Sequence, residues 1–429
     1  MANVYYEALK KFISSNPENW KELLKAKPFY LKTVKQVDFN PNWYILVYNL
    51  FNSDFDPANS SQEQVNALKA CRGCVVDVSD INDVKIVCAP YTKFFNLGEP
   101  YCDEIDWQSA KVQLKVDGIL IKAFKHNGLV YWATNGSVDP DQKMQDCISP
   151  DGVAEDGTKD AFSYFDLLKY ALSIESPDVK ITSELVGENS HKVTSTGGWC
   201  DKIPDGITLM LELVSPRNRI ICKYATTKLY FHGYRDEQLE EKEAKEIAAE
   251  YGIPYEIPEL LNPKTEAELN ELLSTFDGSE KEGCVVVDKY WRRVKVKSPH
   301  YLKIKFIKGE DVFSRKEIFN AVIDETWDDV VGYFPEIKSI IDELIEKISD
   351  SKKKLAVYFD LARQKFNEFE QDRKVYAQYV MSLESAHKPL MFDALKNISA
   401  EDYICNKLKE LRKKNNGYQE FENLLYIIK

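Results

Sequence analysis

A lysine stands inside an alternating apolar run and a glycine follows three residues later: Lys115-Val116-Asp117-Gly118, within a β-like stretch from Val112 to Phe124. Successive side chains of a strand face opposite sides, so Val112, Leu114 and Val116 share one face and Lys115 and Asp117 the other. Gly118 lets a ligand or backbone come close. A lysine so placed is a candidate covalent nucleophile, provided that desolvation or nearby positive charge favours its neutral amine. Lys-x-Asp-Gly is short and says little alone. It constrains the chain through what comes after it.

Three further patches follow in order: Leu211-Glu212-Leu213-Val214-Ser215-Pro216, Glu282-Gly283 and Lys295-Val296-Lys297. Val294 and Val296 take one face of their strand, which leaves Lys295 and Lys297 together on the other. These two lysines are candidates to bind an α-phosphate and to activate Lys115. Glu212 and Glu282 are candidates to hold a divalent metal through waters or to bind a ribose, since Mg²⁺ takes only one or two carboxylates. One nucleophilic amine, two carboxylates and two more amines suit attack on a nucleoside triphosphate and covalent carriage of the nucleotide. Taken singly, each is equally a surface lysine, a bulge glycine, a rim carboxylate or a solvated strand edge. Their joint order favours a pocket.

Residues 1–30 read as helix with a break at Ser15-Asn16-Pro17-Glu18. Strands are expected at Trp43–Leu50, Gly73–Val78, Val84–Cys88, Val112–Phe124 and Leu129–Thr134, the last two forming a hairpin through His126-Asn127-Gly128. Residues 137–206 read as an insertion: loop over 137–160, helix over Ala161–Ser173, loop again over 187–206. Strands return at Ile207–Val214, Arg219–Lys223, Leu229–Gly233, Cys284–Asp288 and Arg293–Lys297. A helix is expected over Asp236–Tyr251, opening a helical stretch to Phe276.

Beyond Gly309 the chain reads helical from the Ser314-Arg315-Lys316-Glu317 capping pattern onward. Breaks are expected near Phe334-Pro335, Ser349–Ser351, His387-Lys388-Pro389 and Asn415-Asn416-Gly417. The reading is α+β: a mixed domain over 1–309, then a helical domain over 310–429.

A net charge of −12 argues against broad adhesion to nucleic acid, but Arg292 to Lys308 holds seven basic and no acidic residues, with Trp291, Tyr301 and Phe306 interleaved. That run is read as a surface for phosphates. No run is long enough to span a membrane, and no secretory signal opens the chain. The nine cysteines are scattered. Cys71 and Cys74 have no second pair to make a zinc site and are expected to face opposite sides of a strand. Free thiols in a reducing cytoplasm are the expectation.

The motifs together resemble those of covalent nucleotidyltransferases, and more closely the phage RNA ligase 1 family. Lys115–Gly118 matches the nucleotide-accepting motif, Leu211–Ile221 the long third motif, Glu282–Val286 the fourth and Val294–Tyr301 the fifth. Arg72-Gly73 and Pro90–Glu99 are similar to that family's N-terminal module, assigned here to residues 1–105. The resemblance implies a nucleotidyltransferase fold of ATP-grasp-like antiparallel sheets with helices. It implies that Lys115 becomes lysyl-AMP from ATP, with Mg²⁺ or Mn²⁺. The AMP then passes to an RNA 5′-phosphate, and a 3′-hydroxyl displaces it. Arg72 and Lys93 are implied to hold the β- and γ-phosphates. Asp117, Gly118, Glu212, Glu282, Lys295 and Lys297 are implied to line the nucleotide site, with Glu282 and Glu212 toward the metal. RNA repair is implied, with tRNA as one candidate substrate and a separate end-healing kinase or phosphatase as a candidate partner. The sequence departs from the family at Asn135, where some members carry lysine. Glu184, in Ser183-Glu184-Leu185, is a second candidate for the third-motif glutamate.

Two other readings stay open. A DNA ligase or guanylyltransferase usually has arginine where Leu120 stands, and a small β-barrel where this chain reads helical. A catalytically inactive RNA-binding relative would not need every reactive residue type to be present.

Overall fold

The computed structural model describes residues 2–48, 60–99, 102–141, 163–218, 220–307, 315–327, 331, 338–384, 387–396, 398–414 and 416–427. Most of the loop expected at 137–160, Arg219, Lys308, the transition near Gly309, Ser314, the Phe334-Pro335 break and Asn415 lie outside these residues. The chain folds as two units, the first ending at Lys305 and the second beginning at Phe306.

The first unit is α+β and almost entirely antiparallel. Its strands in chain order are β1 (Thr33–Val37), β2 (Asn40–Val47), β3 (Arg72–Asp77), β4 (Lys85–Cys88), β5 (Phe95–Asn96), β6 (Lys111–Lys115), β7 (Ile119–His126) and β8 (Leu129–Thr134). They continue with β9 (Lys180–Leu185), β10 (His191–Thr196), β11 (Thr208–Val214), β12 (Lys228–Arg235), β13 (Glu241–Lys242), β14 (Leu260–Leu261), β15 (Gly283–Val287) and β16 (Arg293–Lys297). Three sheets result: β1-β2-β3-β4, β13-β12-β11-β7-β8-β10-β9 and β14-β6-β15-β16-β5.

Period-two alternation sets the layers. Ile121, Ala123, Val130, Trp132, Leu209, Leu211 and Leu213 pack under helices Tyr164–Glu175 and Ala244–Tyr251. On the opposite face, Phe124, Tyr131 and Ala133 meet Trp43, Ile45, Val75 and Val87 of the four-stranded sheet. That sheet's outer face is covered by helices Ala2–Ser15 and Gln62–Ala70.

The β-like run from Val112 to Phe124 is not one strand. It ends at Lys115 in the five-stranded sheet and resumes at Ile119 in the seven-stranded sheet. A Cβ on Gly118 would lie 2.5 Å from the Leu213 carbonyl oxygen. Glycine therefore lets the chain change sheets against β11. Asn127 (φ 51°) and Gly128 (φ 78°) turn the next hairpin, with the left-handed pair such a tight loop needs.

Other expectations need correction. Residues 180–196 form the β9–β10 hairpin, although 187–206 reads as loop, and β1 is not evident from the sequence at all. Residues 220–223 are coil, because the Ile221 and Cys222 amides serve a buried carboxylate rather than a strand partner. The helix expected from Asp236 starts at Ala244. Asp236 accepts from the Gln238 and Glu240 amides, and Leu239 takes a positive φ. Cys71 caps a helix and only Cys74 is in a strand, so both thiols reach the same core.

Arg235 is fully buried and shares the Glu241 carboxylate with Arg293. Burial opposes the charge on Glu241, but Arg293 and Arg235 overcome it and hold the carboxyl below its ordinary value. A depressed carboxyl stabilises fully above the unfolded value of roughly 4.3 and loses that contribution as pH falls through the folded one. Glu241→Gln should cost about 3–5 kcal/mol at neutral pH, because two guanidiniums are left buried and unpaired. Urea unfolding at neutral and acid pH checks this, with the difference from wild type shrinking in acid.

The second unit is helical: Arg315–Ile323, Lys338–Glu368, Arg373–Ser382, Lys388–Asp393, Ala400–Arg412 and Gly417–Ile427 around one apolar core. The break expected at Ser349–Ser351 is absent. Ser351 is buried in a continuous helix with its hydroxyl bonded to the Ile348 carbonyl, which lets a turn-favouring residue stay helical. Among the described residues no helix is long and apolar enough to cross a membrane.

Candidate active site

Register builds the centre. Gly283 on β15 pairs with Lys115 on β6 and with Lys297 on β16. Two lysines thus flank a residue with no side chain. A Cβ on Gly283 would fall 2.6 Å from the Lys297 α-carbon, so the strands approach only because glycine is there. One row along, Gln113, Val285 and Lys295 line up in the same way.

Glu282 precedes Gly283 and is 2% exposed. The Lys115 ammonium donates to its Oε2 at 2.6 Å, and Lys297 Nζ lies 3.1 Å from its Oε1. Burial opposes ionisation of Glu282, yet Lys115 and then Lys297 hold its pKa below the usual carboxylate range. One carboxylate thereby fixes two amines.

Asp117 turns inward rather than toward the Lys115 amine. Its Oδ2 accepts from the Ile221 and Cys222 amides and its Oδ1 from the Tyr301 hydroxyl, and the Tyr224 hydroxyl oxygen accepts from its backbone amide. Burial, then the Glu282 charge, push this carboxyl up. Asp117 therefore ties the loop after β11 and the helix after β16 to the crossover at Gly118.

Glu212 is the one residue of β11 that is not buried. Its Oε1 accepts from the Gly118 amide, and Oε2 lies 3.4 Å from His232 Nε2. Glu184 sits instead on the β9–β10 hairpin, largely exposed and paired with Lys192.

Arg72 and Lys93 are placed by aromatic rings. The Arg72 guanidinium lies over Phe94 at 4.8 Å, and its buried Nη1 has no hydrogen-bond partner among the described residues. Lys93 Nζ lies over Phe95 and Tyr48 at 4.9 and 5.4 Å. Phe95-Asn96 joins the sheet of Lys115 by pairing with Val294-Lys295.

The basic run does not form one surface. Arg292 pairs with Asp288 and Arg293 with Glu241, while Tyr301 is 1% exposed. Lys297 is 6% exposed and held against Glu282. The run reads as exposed in sequence because Asp288 lies just before it and Glu241 52 residues upstream. Sequence reasoning also misses Tyr224 and Tyr301 at Asp117 and Lys122 at the Gly73 carbonyl. A lysine at an inward position of an alternating strand is the available signal for the last.

A family model described as RNA ligase matches residues 70–308. Among solved structures the chain is similar to a Naegleria gruberi RNA ligase with ATP and Mn, at 11% identity and a TM-score of 0.30, covering 52% of this chain and 65% of that one. It is also similar to an archaeal ATP-dependent RNA ligase, at 12% identity and a TM-score of 0.30, covering 81% and 75%. The chain thus spans just under two thirds of the Naegleria protein.

Proposed function

The match over residues 70–308, more than half of the chain, shows that it belongs to the RNA ligase family, and we propose that it is an ATP-dependent ligase joining RNA 5′-phosphate and 3′-hydroxyl ends. The observation that carries this is the row Lys115, Gly283, Lys297 with Glu282 shared between both amines.

Lys115 attacks the α-phosphorus of ATP in line with the bond to pyrophosphate. The Lys115 ammonium first releases a proton to water; a phosphorus–nitrogen bond then forms as the bond to pyrophosphate breaks, and a second proton leaves the nitrogen to water. To attack, Lys115 exchanges its contact with Glu282 for the phosphate, while Lys297 keeps that carboxylate paired. Lys295 and Lys297 offer charge to the α-phosphate, and Arg72 and Lys93 take the β- and γ-phosphates. The AMP then moves to an RNA 5′-phosphate, and attack by a 3′-hydroxyl expels it.

Glu282 and Glu212 are the residues that would hold a divalent cation. No group of three or more His, Cys, Asp or Glu side chains forms a metal cage among the described residues. One or two carboxylates with several waters retained is a donor set that Mg²⁺ or Mn²⁺ takes, and here Lys115 and Lys297 occupy the Glu282 oxygens, so contact through water is the mode that suits it. Such an ion neutralises phosphate charge when bound.

The helical unit is assigned to choosing the RNA, with tRNA one candidate. Enzymes of the kinase and phosphatase classes are the candidates to supply ligatable ends. Eight described cysteines are free thiols, which suits the cytoplasm.

Radiolabelled ATP or GTP with Mg²⁺, followed by a denaturing gel, tests the reading. Label from ATP alone supports it. Label from GTP moves it to capping chemistry, and no label in folded protein moves it to an RNA-binding module. Deleting residues 311–429 should leave this labelling intact and weaken RNA joining. Loss of labelling in a folded truncation would contradict separate roles.

A further inference from the structure

β7 alternates as a strand between two layers should, except that two of its buried positions are lysines; among the described residues Lys125 finds two acceptors, the Cys200 and Asp201 carbonyls, and Lys122 only one. Ile121 and Ala123 face the helices, and Phe124 faces the four-stranded sheet. Lys122 shares the Phe124 face and is 0% exposed. An apolar residue would fill that layer without the cost of burying an ammonium. The Lys122 Nζ donates to the Gly73 carbonyl oxygen, its one acceptor among the described residues, although an ammonium carries three donors.

Gly73 is itself unusual. β2 and β3 slip register there, with Leu46 opposite Cys74 and Val47 opposite Arg72, so Gly73 is the extra residue of a bulge, at φ 78°. A Cβ on it would fall 2.9 Å from Lys122 Nζ and 3.0 Å from Asn135 Oδ1. Bulges re-aim the neighbouring side chain. Here the neighbour is Arg72, whose buried Nη1 has no acceptor among the described residues.

We propose that Lys122 is a positioning residue for the triphosphate end of the nucleotide site, stitching the Gly73 bulge so that Arg72 points at the β- and γ-phosphates. This rests on the ligase reading above, through the role given there to Arg72. Lys122 does not touch the nucleotide. It sets the direction of the guanidinium that does.

The test compares two ligands in equilibrium binding. One is an ATP analogue with an α,β-methylene bridge, which cannot transfer its nucleotide. The other is AMP, which has no β- or γ-phosphate. Lys122→Met should weaken the analogue about tenfold or more and AMP less than about twofold. Lys122→Gln, which keeps a donor for Gly73 but not the charge, is measured beside it in case the Met variant melts. Equal losses for the two ligands would mean that Lys122 only supports the fold, and no loss for either would mean that Arg72 needs no anchor. Either result overturns the proposal. Wild-type protein that binds AMP but gains nothing from the added phosphates would overturn it too. Wild-type protein that binds neither ligand would instead show the ligase reading itself to be wrong.

Discussion

Lys115→Ala should cut covalent labelling by ATP at least a thousandfold, roughly to background, while leaving the fold intact. Lys297, the other amine on Glu282, is badly placed to take over, since it lies across Gly283 on the far strand and is 6% exposed. Lys115 is about a quarter exposed and stands at the end of β6, with room to leave Glu282. The same variant should still join RNA that already carries a 5′-adenylate, since that step needs no lysyl-AMP. Comparing gel labelling by ATP with joining of pre-adenylylated RNA checks both halves. If the variant lost both equally, Lys115 would be a structural lysine.

Glu282→Gln should lower the rate of adenylylation about a hundredfold or more, an effect second only to that of Lys115. The carboxylate holds two ammonium groups at 2.6 and 3.1 Å in a buried position. An amide has no charge to balance them, so the two lysines repel and their placement relaxes. Any cation held there also loses an anionic ligand. Glu184→Gln, on the exposed hairpin, should leave the rate unchanged. Single-turnover labelling at saturating ATP separates the two. A Glu282→Gln rate within about twofold of wild type would show that the pairing is incidental.

Much of this arrangement is legible in the sequence because it is written locally. The alternation around Lys115 and Lys295–Lys297 fixes which side chains share a face, and Asn127-Gly128 fixes a turn. The α+β architecture follows from strands early and helical periodicity late. What cannot be read depends on partners far away in sequence. Asp117 looks like a pocket residue beside Lys115, and only the fold brings the Ile221 and Cys222 amides and Tyr301 to it. Arg293 looks like part of a phosphate surface until Glu241, 52 residues away, is seen against it. Val112–Phe124 reads as one strand because alternation continues across Gly118, whereas the change of sheet depends on contact with β11. The β9–β10 hairpin is hidden by its polar composition, since one of its strands is largely exposed.

The most direct measurement is intact-mass spectrometry of purified protein after incubation with ATP and Mg²⁺, followed by peptide mapping. The predicted result is the mass of one added adenylate, localised to Lys115 and reversed by pyrophosphate. An adenylate on another residue, or folded protein whose mass stays unchanged, would contradict the claim that Lys115 carries the nucleotide.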